Sequence, residues 1–280
     1  MYFYILGSIE VRFSGRRIPI TAPKQRAVLA TLILNTNNEV PVDRFIKYVW
    51  DGQPPVGAQT TLQSYVYRLR QALRPLAGVE ICTGSASYML QAGSDDTDLG
   101  YFKQQVKNAH AEAQRGHLRC SVQIFRDALN IWRGNALAGV QGELIRQEAR
   151  FLESERIAVY EELYGSEIAL GNYRQIIPEL QKRVAAYPFH EALRSQLMAA
   201  LYCSGRQAEA LQHYTHIRKR LSAELGIEPG SELQELQRAI LDRVPTKRLL
   251  SQSFPAWPID GNGSSDFSEG PSIDAWTGRT

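Results

Sequence analysis

Three short runs at the start of the chain alternate apolar and polar residues: Tyr2–Leu6, Ile9–Phe13 and Arg16–Ile20, separated by Gly7-Ser8 and Ser14-Gly15. Period-two runs bounded by turn residues predict strands, here a three-stranded antiparallel meander. The period then turns helical. Thr21 and Pro23 open KQRAVLATLIL, with apolar Val28, Leu29, Leu32 and Ile33, and Asn35-Thr36-Asn37-Asn38 stops it. Val40-Pro41 is extended. Val42–Trp50 is a second helix, with Phe45, Ile46, Val49 and Trp50 expected inward. The prolines of Asp51–Pro55 exclude helix there. Residues 58–74, AQTTLQSYVYRLRQALR, predict a third helix with Leu62, Val66, Leu69 and Leu73 on one stripe. Pro75 and Gly78 close it. Val79–Cys82 and Tyr88–Leu90 flank Gly84-Ser85 as a hairpin.

Sheet, three helices and hairpin, in that order, predict a winged helix-turn-helix over residues 1–92. The third helix is then the reader and the hairpin the wing. Gly93–Thr97 is a short polar linker. From Asp98 to about Val244 the period is helical throughout, broken at Gly116, Gly134–Gly142, Gly171-Asn172, Gly205 and Pro229-Gly230. Gly171 and Gly205 stand 34 residues apart, each between two helices, and that is the tetratricopeptide period. The second unit fits it better, through Leu201, Gly205, Ala208, Leu221 and Pro229; the first keeps only its Gly and Tyr187. An ordinary helical bundle is the alternative. Residues 245–280 are rich in Pro, Ser, Gly and Asp and predict a disordered tail, in which Phe254, Trp257, Phe267 and Trp276 are candidates for a partner-binding strip. The fold class expected is therefore α+β over 1–92, a winged helix with an N-terminal antiparallel sheet, followed by an all-α tetratricopeptide-like domain over 98–244.

Charge sharpens this division. Residues 1–92 carry 10 basic and 5 acidic side chains, net +5, within a chain of net +3. The basic excess sits in the first third, as expected if that third meets nucleic acid. Cys82, Cys120 and Cys203 lie far apart, which fits a reducing compartment and gives neither a disulfide framework nor a zinc site. No apolar run approaches the roughly 18 residues of a membrane span, and the N-terminus lacks the basic start of a signal peptide. The expected location is the cytoplasm, in association with the nucleoid.

The outward face of 58–74 holds the candidate chemistry. Thr60, Ser64, Tyr67, Arg68, Gln71 and Arg74 lie opposite the apolar stripe, and the stretch has no Asp or Glu. Arg reads guanine and Gln reads adenine in a major groove, while hydroxyls meet phosphate or base. The alternative is a solvated basic helix face. Arg68 is the leading base reader, with Gln63, Ser64, Tyr67 and Gln71 behind it. Thr60, Arg70 and Arg74 are expected on phosphates. Lys24 and Arg26 add a contact at the first helix's N-terminus, and Thr83, Ser85 and Ser87 offer hydroxyls from the wing.

Catalytic patterns are missing. No GxSxG elbow, HExxH or dinucleotide fingerprint occurs. His213 and His216 share a helix face and are read as exposed rather than as metal ligands. Glu161-Glu162 is read as a solvated face rather than an acid/base dyad. No enzyme activity, cofactor or metal is expected.

Residues 1–92 resemble the DNA-binding domain of OmpR-type response regulators. More closely, APKQRAVLATLIL, VPVDRFIKYVW and TLQSYVYRLRQALRP resemble the Streptomyces antibiotic regulatory protein family. ALNIWRGNALAGV (128–140), ERIAVYEELYGSEIALGNY (155–173) and the stretch 197–241 resemble that family's bacterial transcriptional activation domain. With no GxxxxGK(S/T) loop, the likeness is to the small type. The wing departs from the OmpR-type pattern, since Thr83–Tyr88 has no Lys or Arg and no Gly before the Tyr. The resemblance implies an activator of a secondary-metabolite gene cluster that contacts RNA polymerase holoenzyme through its helical domain. It also implies head-to-tail packing of a second copy on double-stranded DNA, hence a direct-repeat operator. The rival expectation is a repeat-type adaptor whose winged helix binds protein.

Overall fold

The alternating N-terminal runs pair as β1 (Phe3–Tyr4), β2 (Glu10–Phe13) and β3 (Arg16–Ile18), antiparallel in that order, with Val11 opposite both Phe3 and Ile18. The computed structural model describes residues 1–253. They fall into two compact units, Met1–Gly171 and Asn172 onward.

In the first unit, α1 (Pro23–Leu34) begins on proline, whose missing N–H is one that no helix start needs. Its Val28, Leu29, Ala30 and Leu32 are fully buried. The helix α2 (Val42–Trp50) ends at Asp51 in the left-handed region, φ 51°, a conformation that Asp tolerates. Tyr48 is buried where Ile46 and Trp50 were expected, and those two are only half-buried. Gly57, φ 82°, turns the chain into α3 (Ala58–Leu73). The expected stripe faces the core: Leu62, Val66, Leu69 and Leu73 are at most 3% exposed. Each such side chain contributes about 1.5–3 kcal/mol by burial. The wing is β5 (Glu80–Thr83) against β6 (Ser87–Gln91), and β4 (Val40–Pro41) completes a second sheet in the order β4-β6-β5.

The segment expected to be a linker is folded. Ser94–Asp96 forms a 3₁₀ turn, the Tyr2 amide donates to the Asp96 carbonyl at 2.7 Å, and Phe3 bridges Thr97. The Thr97 hydroxyl accepts from the Gly100 amide and caps α4 (Asp98–Gln114). Asp98 is wholly buried. Its carboxylate accepts from the Ile5 and Leu6 amides at 2.9 Å and lies 3.5 Å from Arg133. Burial pushes its carboxyl above the usual range, against the pull of those donors. Farther on, the Arg133, Leu137 and Ala138 amides donate to the carbonyls of Leu6, Ile5 and Gly7. The first compact unit therefore runs through 93–97 to Gly171, because the N-terminal sheet shares its backbone hydrogen bonds with residues 96–138.

Two further helices, α5 (Leu118–Asn130) and α6 (Glu143–Ala169), pack with α4 around Phe102, Phe125 and Trp132. Phe102 meets Trp132 edge-on at 5.5 Å, and the Arg156 guanidinium lies 4.6 Å over the indole. Glu161 and Glu162 are half-buried rather than solvated, and Glu162 pairs with His110.

The second unit is helical throughout its described residues: α7 (Tyr173–Ala186), α8 (Glu191–Cys203), α9 (Gln207–Leu225), α10 (Ser231–Leu241) and α11 (Thr246–Ser253). Gly205, φ 81°, turns α8 into α9, as the repeat reading expects. The small residue in the interface is Ala210; Ala208 faces solvent. The Tyr202 hydroxyl donates to the Val244 carbonyl at 2.8 Å, and Gln207 to that of Ile240 at 3.0 Å. The expected tail starts too early at 245, since Leu249 and Leu250 of α11 are buried. The aromatic strip at Phe254, Trp257, Phe267 and Trp276 lies outside the described residues.

Candidate nucleic-acid interface

Burying the 62/66/69/73 stripe fixes how α3 is turned. Thr60, Gln63, Ser64, Tyr67, Arg68, Gln71 and Arg74 are all exposed as a result. Tyr67 is 63% exposed. No carboxylate lies among them. Neither Arg68 nor Arg74 makes an ion pair or hydrogen bond with another described residue. The Ser64 hydroxyl donates to the Thr60 carbonyl at 3.1 Å and keeps its lone pairs outward. Stacking of Trp50 on Tyr65, centroids 6.4 Å apart, fixes α3 against α2. Gly57 offers no side-chain cap; the Ala58 amide donates to the Pro55 carbonyl at 3.1 Å, and the Gln59 and Thr60 amides stay open.

Five of the residues expected on phosphates, or offered as wing hydroxyls, are placed otherwise. Arg70 turns toward the wing: Nε and Nη2 donate to the Ile81 carbonyl at 2.9 and 2.6 Å, and Nη2 to the Thr83 hydroxyl at 2.5 Å. It ties the wing to the reader helix, and Thr83 is its partner. Lys24 donates to the Val49 carbonyl at 2.5 Å and lies 5.8 Å over the Trp50 ring, so it caps the C-terminus of α2. Arg26 faces a cavity walled by β2, β3 and residues 138–139, away from α3. Ser87 is buried and donates to Glu39 at 2.8 Å. Ser85 alone of the wing hydroxyls considered is exposed and unengaged.

Sequence reasoning missed a lock between the helix-turn-helix and α6. The Asp51 carboxylate, in the turn between α2 and α3, accepts from the Glu143 amide at 2.7 Å and so caps α6 from 92 positions away. The Tyr48 hydroxyl donates to Glu148 at 2.5 Å, and Arg44 lies 3.9 Å from the same carboxylate. Burial, then the bond to Glu148, holds the Tyr48 hydroxyl above its ordinary range. No local signal announces such pairs, since Asp51-Gly52 reads only as a turn.

Comparison with known proteins agrees with this geometry. A family model described as "Transcriptional regulatory protein, C terminal" matches residues 15–83, and one described as "Bacterial transcriptional activator domain" matches 97–241. Regulatory protein DnrI of Streptomyces peucetius is 34% identical over 254 residues, 88% of this chain and 93% of that protein. Regulatory protein AfsR of Streptomyces coelicolor is 34% identical over 249 residues, 89% of this chain but 25% of AfsR. The solved structure of Mycobacterium tuberculosis EmbR, in complex with a low-affinity phosphopeptide, superposes with a TM-score of 0.83 at 31% identity, over 90% of this chain and 68% of that one. No helix among the described residues is long and apolar enough to cross a membrane.

Proposed function

This chain belongs to the Streptomyces antibiotic regulatory protein family of transcriptional regulators, and from that premise we propose that it is a sequence-specific DNA-binding activator of a secondary-metabolite gene cluster. The observation that carries the reading is the acid-free, exposed face of α3. Arg68 reads a guanine, with Gln63, Ser64, Tyr67 and Gln71 around it, while Thr60, Arg74 and the open amides of α3 hold phosphates. Arg70 sets the angle of the wing. Residues 98–244 engage RNA polymerase holoenzyme, and the Asp51, Tyr48 and Glu148 lock passes the docked position of the reader helix to α6.

One such module buries only about 600–1,000 Å² on DNA, so a second copy is needed to find one promoter in a genome. Residues 1–92 offer no self-complementary heptad seam to enforce a two-fold. Head-to-tail copies on a direct repeat, centred about one helical turn apart, follow. Footprinting and gel shifts on an adjacent biosynthetic promoter test this. Inserting about five base pairs between the half-sites should abolish cooperative binding, and about ten should partly restore it. An inverted-repeat footprint, or indifference to the shorter insertion, would falsify the arrangement.

A further inference from the structure

The second unit contains a cavity of about 360 Å³ between α7, the turn at Pro188 and α9, lined by Gln181, Val184, Arg194, His213, His216 and Arg220 among others. No Asp or Glu lines it. Arg194 is only 4% exposed, yet no carboxylate meets it. Its Nη2 donates to the Pro188 carbonyl at 3.1 Å, and its Nε is buried without an acceptor. A buried guanidinium ordinarily finds an anion, because desolvating an unpaired charge is costly. Here its neighbours are further cations. Arg220 lies across the cavity, its Cζ 4.9 Å over the Phe189 ring and its Nε on Glu224 at 2.7 Å, outside the lining. Burial, then the charge of Arg220, holds the Arg194 guanidinium below its ordinary range. Burial, then the charge of Arg194, does the same to His213. The histidine pair expected on a solvated face thus has one half-buried member in a wall of positive charge.

We propose that this cavity binds a small, doubly charged oxyanion, phosphoryl or carboxylate, held by Arg194 and Arg220 with His213 and His216 beside them. Planar guanidinium forks match both groups. The volume lies at the small end of ligand pockets, which favours a compact metabolite over a peptide. Val184 and Pro188 give its apolar part a wall.

Calorimetric titration of the 280-residue protein tests the site, with pyrophosphate and succinate as probes at constant ionic strength and chloride as the control. Saturable one-to-one binding of either probe is expected. The probe that wins separates phosphoryl from carboxylate. Losing one charged hydrogen-bonding partner should weaken binding about tenfold or more in Arg194→Met and in Arg220→Met. Arg220 is half-buried, so its variant decides the matter if Arg194→Met fails to fold. Absence of saturable binding by both probes, or unchanged affinity in a folded Arg220→Met, would overturn the proposal.

Discussion

Single side chains on α3 differ in what they hold, and that difference is measurable. Arg68 stands free on the exposed face, so Arg68→Ala should weaken operator binding by about 1–3 kcal/mol and relax preference at one base pair. Arg74→Ala should weaken all sequences alike and make the salt slope shallower by about one. Fluorescence anisotropy across a salt series, with operators varied one position at a time, separates the two outcomes. Equal loss of specificity in both variants would mean that α3 lies differently in the groove. The exposed face of α3 was legible because the side-chain period of a helix is fixed once its buried stripe is known. The placements of Arg70 and Lys24 were not. Arg70 and Lys24 are basic and near the right helices, but each found a carbonyl within reach, and sequence says nothing of carbonyl positions.

At the scale of elements, α4, α5 and α6 are held partly by titratable groups. Glu162 meets His110 and holds the imidazole above its ordinary range. Burial, then the charge of Glu162, lifts Glu161 from the usual 4.5 up to about 7. Both shifts act in one direction. A base raised in the folded state contributes stability below its unfolded value that is lost as pH rises through the folded one. An acid raised in the folded state binds its proton more tightly when folded, so stability falls as pH rises between its two values. Glu161→Gln removes the second effect. Wild type should therefore lose stability relative to the variant between about pH 4.5 and 7, as read by urea denaturation at several pH values. A constant difference would mean that folding does not raise the Glu161 carboxyl. The helices themselves were legible to within a few residues, since long periodic segments with Gly breaks leave little choice. Partners across α4 to α6 were not, because a pair such as His110 and Glu162, 52 positions apart, leaves no periodic trace.

Across the whole molecule, the order of elements could be read, and the packing of residues 96–138 against the N-terminal sheet could not. Charge and the polar run 93–97 marked a change of function, whereas Asp98 and residues 133–138 stitch that change shut. A fragment of residues 1–92 exchanges the Asp98 carboxylate on the Ile5 and Leu6 amides for water, losing charge-assisted hydrogen bonds that contribute about 1.5–3 kcal/mol each, against a total stability of about 5–15 kcal/mol. It also uncovers Phe3, Ile5 and Leu6, which are fully buried in the complete chain. We expect 1–92 to melt broadly and at low temperature, and 1–171 to unfold in one cooperative transition by circular dichroism. A sharp, high melt for 1–92 would place the boundary back at 93–97. The same stitching governs synthesis. The ribosome releases the reader helix long before the segments that finish its support, so the newborn N-terminus must wait, with apolar strands uncovered until residues 133–138 emerge and α2 unlocked until α6 follows. Until then it is a client for chaperones rather than a ligand for promoters, and a message cut short upstream of α6 would yield no dominant-negative competitor for the operator.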